Sequence, residues 1–181
     1  SGLDLTLNLS ILGNGSTWTN TTTYFPSPVS TDFKAATPAA FFISWSGKIS
    51  GHGYGVGVGV NVPGGGNVFW PSDWAGRHTI ISVDRKLFGT YLTGGFEIIP
   101  QIRVGGGLIY YYATEKLEVA KALPGGQDGL VTVADSGGAV SWDASLEIQP
   151  LLDLPLRIGL DYKQQAFMKL TGPANFAFPP A

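Results

Sequence analysis

The chain has 181 residues, no cysteine and a formal net charge of −2. That excludes disulfides, thiolate metal sites, a cysteine nucleophile and the basic face that nucleic acid requires. Only 13 % of the residues are charged, while 26 Gly and 12 Pro promise many turns, and no run of about 18 apolar residues is present to form a transmembrane helix.

Alternation of apolar and polar residues with a period of two organises the sequence. A first strand is expected near 2–12, with Leu3, Leu5, Leu7, Leu9 and Ile11 on one face and Asp4, Thr6, Asn8 and Ser10 on the other. A long polar connector, 13–36, leads to a second strand near 37–46 and then a short turn. The third strand, near 53–63, sets Tyr54, Val56, Val58, Val60 and Val62 against Gly53, Gly55, Gly57 and Gly59. Glycine weakens a strand and marks a bend or a close backbone approach. At Asn61-Val62-Pro63-Gly64 the proline has no N–H for a ladder and Gly64 relaxes the backbone. Either the strand kinks there, or it ends at the connector 64–78.

A fourth strand is expected near 79–99, joined by Pro100-Gln101 to a fifth near 102–119. The connector 120–138 contains Leu130 to Val133, a groove lining or a short hairpin strand. In the sixth strand, near 139–149, Val140, Trp142, Ala144, Leu146 and Ile148 oppose Ser141, Asp143, Ser145, Glu147 and Gln149. The turn "PLLDLP" precedes a seventh near 155–171, where Leu156, Ile158, Leu160 and Tyr162 oppose Arg157, Gly159, Asp161 and Lys163. The final "PANFAFPPA" reads as the start of an outer loop.

The fold class is therefore all-β. Several of these strands exceed the five or six residues usual in soluble domains, and tilted strands of about ten residues are what a bilayer demands. Long and short connectors alternate strictly, as in outer-membrane barrels. Trp45, Tyr110, Tyr111, Tyr112 and Phe167 near strand ends are placed like interfacial girdles. Seven strands, however, cannot close an antiparallel barrel: the first and last run the same way, and an open edge in lipid leaves backbone groups unsatisfied. The expectation is an antiparallel transmembrane barrel with seven strands of fourteen in this chain. Residues 1–181 then form a single partial barrel domain, whose partners are membrane lipid and the remaining half, as a missing segment or a second chain.

The order of segments resembles the FadL-type outer-membrane transporters of long-chain fatty acids and hydrophobic compounds. The resemblance rests on "TPAAFFISWSGKISGHGYGVGVGVNVPGGGNVFWPSDWAGRH" and "FGTYLTGGFEIIPQIRVGGGLIYYYATEKLEV". It implies a bacterial outer-membrane channel for passive uptake of hydrophobic molecules, such as fatty acids or hydrocarbons, without a cofactor. It also implies lateral release through a kink in the third strand, at Asn61, Val62, Pro63 and Gly64. The family's N-terminal plug and the second half of its barrel are expected to lie outside this chain. The family's basic residue for a fatty-acid carboxylate falls near Val119 here, so Lys116 is the candidate for a head group, and a neutral ligand is equally open.

Phe69, Trp70 and Trp74 are candidates for collecting apolar ligand in an outer loop, with Leu130 in the next; the alternative is that the aromatics form the loop's own small core. Asp4, Gly55, Gly57, Asp143, Glu147, Arg157, Asp161 and Lys163 should face the lumen, as a network with the plug or as a plain hydrated wall. His52 and His78 have no Ser or Asp set beside them in a catalytic pattern and form no HExxH helix, so neither an enzyme nor a metal site is expected. The alternative from another class is a plugged structural barrel that docks partner proteins.

Overall fold

In a computed structural model of the chain, residues 1–20, 28–149 and 156–178 are described. They form strands β1 (Gly2–Leu9), β2 (Leu12–Asn14), β3 (Thr17–Trp18), β4 (Val29–Ser30), β5 (Lys34–Ala36) and β6 (Ala39–Ile49), followed by β7 (His52–Phe69), β8 (Ser82–Ile99), β9 (Ile102–Ala122), β10 (Asp128–Ile148), β11 (Ile158–Lys163) and β12 (Ala174–Ala177). One antiparallel sheet runs β1-β6-β7-β8-β9-β10-β11, and β12 also pairs with β10. The wall thus has seven positions, the seventh shared by β11 and β12. Among the described residues β1 and the seventh strand are paired on one side only, so the wall is not closed.

The register explains why the alternation was so regular. Leu5, Ile43, Val58, Leu92, Leu108 and Trp142 lie opposite one another in a single row across the wall. The neighbouring row is Asp4, Ser44, Gly57, Thr93, Gly107, Asp143 and Lys163. A one-residue slip would exchange the two faces everywhere, so the apolar pattern fixes the pairing. The polar face is concave: Ser44, Gly55, Thr93, Arg103, Asp143 and Asp161, from six different strands, line one trough of about 760 Å³. On the convex face of β8 the apolar side runs from Ile98 to Phe88. The ten steps between them, at about 3.3 Å each and tilted by about 40°, cover roughly 25 Å, the height of a barrel's lipid-facing band. Leu5, Val58, Leu92 and Leu108 are each more than half exposed on this face, as a lipid-facing surface must be.

Several boundaries differ from those expected. The first strand stops at Leu9, and its line resumes as β2, paired to β5 in the same register. The second and third strands meet at a two-residue turn, Ser50-Gly51, because β6 reaches Ile49 and β7 starts at His52. β7 does not end at Pro63 but continues to Phe69, and β8 begins at Ser82 rather than near 79. The connector expected at 120–138 is mostly ladder: β9 and β10 pair from Ala122 and Asp128 down to Ile102 and Ile148, and Leu130 to Val133 belong to β10. Backbone pairing above the lipid needs no apolar alternation, so the pattern gave no sign of it. Ala174 to Ala177, read as loop, pair with Leu130 to Val133. The turn "PLLDLP", the first residue of the expected seventh strand and the last three residues of "PANFAFPPA" lie outside the described residues.

Candidate functional site: a break in the third wall strand

β7 pairs with β6 only up to Val60, which lies opposite Phe41. On its other side the ladder to β8 shifts register: Asn61 faces Gly89 and Gly64 faces Leu87. Val62 and Pro63 therefore oppose Phe88 alone, a one-residue bulge. Pro63 lacks the N–H a ladder would use, which makes this the weak point of the strand. Gly65 takes φ 149°, and a Cβ there would lie 2.7 Å from the Arg85 carbonyl oxygen. The extra residue reverses the parity of the strand. Gly55, Gly57, Gly59 and Asn61 share the concave face below the bulge, whereas Gly64, Gly66 and Val68 share it above. Asn61 Oδ1 is buried without a hydrogen-bond partner.

On the side of the first hairpin, β7 is next held where Asn14 Nδ2 donates to Asn67 O at 3.2 Å and Asp32 N donates to Phe69 O at 3.0 Å. Between Val60 and Asn67, among the described residues, no backbone hydrogen bond joins β7 to that hairpin. Six residues of strand, roughly 20 Å at 3.3 Å each, thus form an edge without ladder partners on that side. Carried past Val60, the β6–β7 register sets the short-chained run Ala35, Ala36, Thr37, Pro38, Ala39 and Ala40 across from this edge.

Above this edge stands an aromatic cluster. Trp70 and Trp74 stack with centroids 4.3 Å apart, and Trp18 meets Trp74 edge-on at 6.1 Å. Trp74 Nε1 donates to Ile80 O at 2.7 Å, and Lys34 Nζ sits 3.4 Å from the centroid of the Phe69 ring. Trp70 and Trp74 are half-buried, stacked on each other with part of each ring left open. The loop is clamped to β9 and β10: Arg77 Nε lies 2.6 Å from Asp128 Oδ2, and Ala120 N donates to Arg77 O at 2.9 Å. Arg77→Ala is expected to speed proteolytic cleavage between residues 70 and 81 several-fold, read by timed digestion of the folded protein. Cleavage at the native rate would show that the tryptophans alone hold the loop.

The residues expected in the lumen fall on the concave face. Gly55, Gly57, Asp143, Glu147 and Asp161 line the trough, and Asp4 lies in register with Ser44 beside it. At its lower end Arg103 Nη1 is 3.0 Å and Arg157 Nε 3.5 Å from Glu147 Oε1. Arg103 and Glu97, which also meet there at 3.4 Å, escaped the sequence reading; their opposite charges at facing positions become a signal only once the register is known. Lys116 is different. Its register groups it with Tyr112, Tyr110 and Leu108 on the convex face, above the lipid band, and its Nζ is 2.8 Å from Glu118 Oε1. That ammonium, with the Ser82 hydroxyl, holds Glu118 below the usual carboxylate range. A Lys116 turned outward and engaged by Glu118 is poorly placed to hold a head group in the lumen. Among the described residues no three His, Asp or Glu side chains gather as a metal site.

A wall apolar outside, polar and glycine-rich within, and spanned by long antiparallel strands defines a class: part of a transmembrane β-barrel. The chain is similar in fold to the crystal structure of a Pseudomonas aeruginosa FadL homologue, with a TM-score of 0.70 and 16 % identity over 97 % of this chain. It spans 45 % of the length of that structure. No family model matches the sequence, and no curated protein does.

Proposed function

We propose that the protein containing this chain is a bacterial outer-membrane channel for passive uptake of hydrophobic molecules, long-chain fatty acids or hydrocarbons, which leave sideways at Asn61 to Gly64. The observation that carries this reading is the unpaired edge of β7 above Val60. A one-residue bulge and an unpaired edge, opposite a margin of alanines, supply an apolar way out at the upper end of the lipid band. Inside, the glycine rows of β7, β8 and β9 leave room in the trough, and the Trp18, Trp70 and Trp74 cluster above presents aromatic surface to an arriving ligand. The step is diffusion, so no residue is asked to act as acid, base or nucleophile, and no cofactor is required. The N-terminal plug and the second half of the barrel, expected from the resemblance, complete the channel in this proposal.

Deleting Val62 restores one-to-one pairing between β7 and β8 and should close this way out. In Gram-negative cells without their own long-chain fatty-acid uptake, the full protein should import radiolabelled oleate, and the Val62 deletion should slow import several-fold. An intact protein that imports no more than empty cells would refute the transport reading. Native rates in the deletion variant would move the exit elsewhere.

A further inference from the structure

The seventh wall strand is broken as well. Lys163 faces Asp143, and the ladder resumes only where Ser136 and Thr171 exchange backbone hydrogen bonds at 3.0 Å. Seven residues, 164–170, thus oppose six, 137–142. Between these points Gln164 N still donates to Trp142 O at 2.9 Å, but no backbone hydrogen bond joins 165–170 to β10.

The direction of the detour is set by two side-chain positions on β10. Ser141 has the parity of Asp143 and Ser145, so its side chain belongs to the concave face. Its Oγ donates to Gln164 O at 2.5 Å, which draws that carbonyl to the lumen side. Gly137 has the same parity, and a Cβ on it would overlap the Lys169 carbonyl oxygen. Both ends of the segment therefore lie over the concave face. Burial agrees: Ile109 is 0 %, Ser141 3 % and Ala113 6 % exposed, and Ile109 faces Ser141 while Ala113 faces Gly137. On the convex face the converse holds. Val140 is 69 % exposed, whereas Trp142, whose ring meets Tyr162 at 5.3 Å, is 44 % exposed.

We infer that the wall has a second lateral opening, where the seventh strand folds into the lumen at Gln164 to Leu170, and that apolar chain molecules pass there too. Val60, Thr90, Tyr110 and Val140 form one row, so the two breaks begin at matching register positions on either side of the intact strands β8, β9 and β10. The second opening is bordered on the convex face by Val140 and Gly138, apolar and small, so it suits acyl or hydrocarbon chains. This rests on the transport reading above; it adds a second path for the same ligand class.

Deleting Ala166 leaves six residues against six and should draw the seventh strand back into the wall. The test compares oleate uptake by the full protein, its Val62 deletion, its Ala166 deletion and the double deletion, with heat-modifiable electrophoretic mobility as the check on folding. Each single deletion is expected to lower uptake at least threefold, and the double deletion to bring it to the level of empty cells. Full uptake without Ala166, alongside a severe loss without Val62, would overturn the second opening and leave the transport reading standing. No uptake by the intact protein would overturn both. If the Ala166 deletion fails to fold, Val140→Trp, which fills the opening from the convex side without touching the ladder, takes its place. The same threefold loss supports the second opening, and unchanged uptake overturns it.

Discussion

Replacing Leu108 by arginine is expected to cost about 2–4 kcal/mol of folding free energy, the loss a cation causes at mid-depth on the lipid face of a barrel. Leu108 is 58 % exposed on the convex face, opposite Leu92, which lies near the middle of the apolar side of β8 from Phe88 to Ile98. An exposed leucine on a soluble surface would tolerate arginine with little change. The measurement is urea unfolding of the full protein in phospholipid vesicles, with Thr93→Arg as the comparison. Thr93 lies one row away on the concave face, in register with Gly57 and Gly107 and two strands from Asp143. Its arginine has water and a carboxylate within reach, so only a small part of the loss is expected. Equal losses at both positions would mean that the two faces have been assigned the wrong way round.

How much of this was legible in the sequence depends on which force set each feature. The facing of β1, the lower parts of β7 and β10, and β11 was plain, because one side meets lipid and the other does not, and a period of two records that difference directly. Pro63 marked a weak point because its missing N–H is a property of the residue itself. What the proline did not disclose is that β7 resumes beyond it. Asn67, Val68 and Phe69 are held by pairing to Asp84, Val83 and Ser82, and above the lipid band such pairing imposes no apolar pattern. The same reason hid the upper part of β10. The fold of Gln164 to Leu170 into the lumen was hidden for another reason. The Ser141 hydroxyl and the absent Cβ of Gly137 acquire meaning only beside the seventh strand, which is 23 residues away at Gln164. Lys116 is a different case: a resemblance suggested a role, and only the register shows that the residue lies on the convex face beside Glu118.

The alternating glycines of β7 are not interchangeable, and substitution should separate them. Gly59 lies in the row Thr6, Phe42, Gly59, Tyr91 and Ile109, and the Phe42 ring occupies the place of its missing Cβ. The ring leans across the glycine toward Tyr91, 6.1 Å away, which in turn meets Tyr111 edge-on at 6.5 Å. Gly59→Leu should therefore cost about 1–3 kcal/mol by overpacking. Phe42→Ala in the same chain should recover most of that loss, since it removes the ring that collides. A double-mutant cycle in vesicles measures the coupling, and two additive losses would show that Phe42 does not depend on the glycine. Gly55 differs: a Cβ there meets only the Trp45 carbonyl oxygen at 3.8 Å. Gly55→Leu should fold as well as the native chain, and with nothing against it the new side chain enters the trough. One glycine thus makes room for a neighbouring ring and the other leaves the lumen open. If a bare lumen wall were the whole purpose of the alternation, Phe42 would have no reason to lie across Gly59.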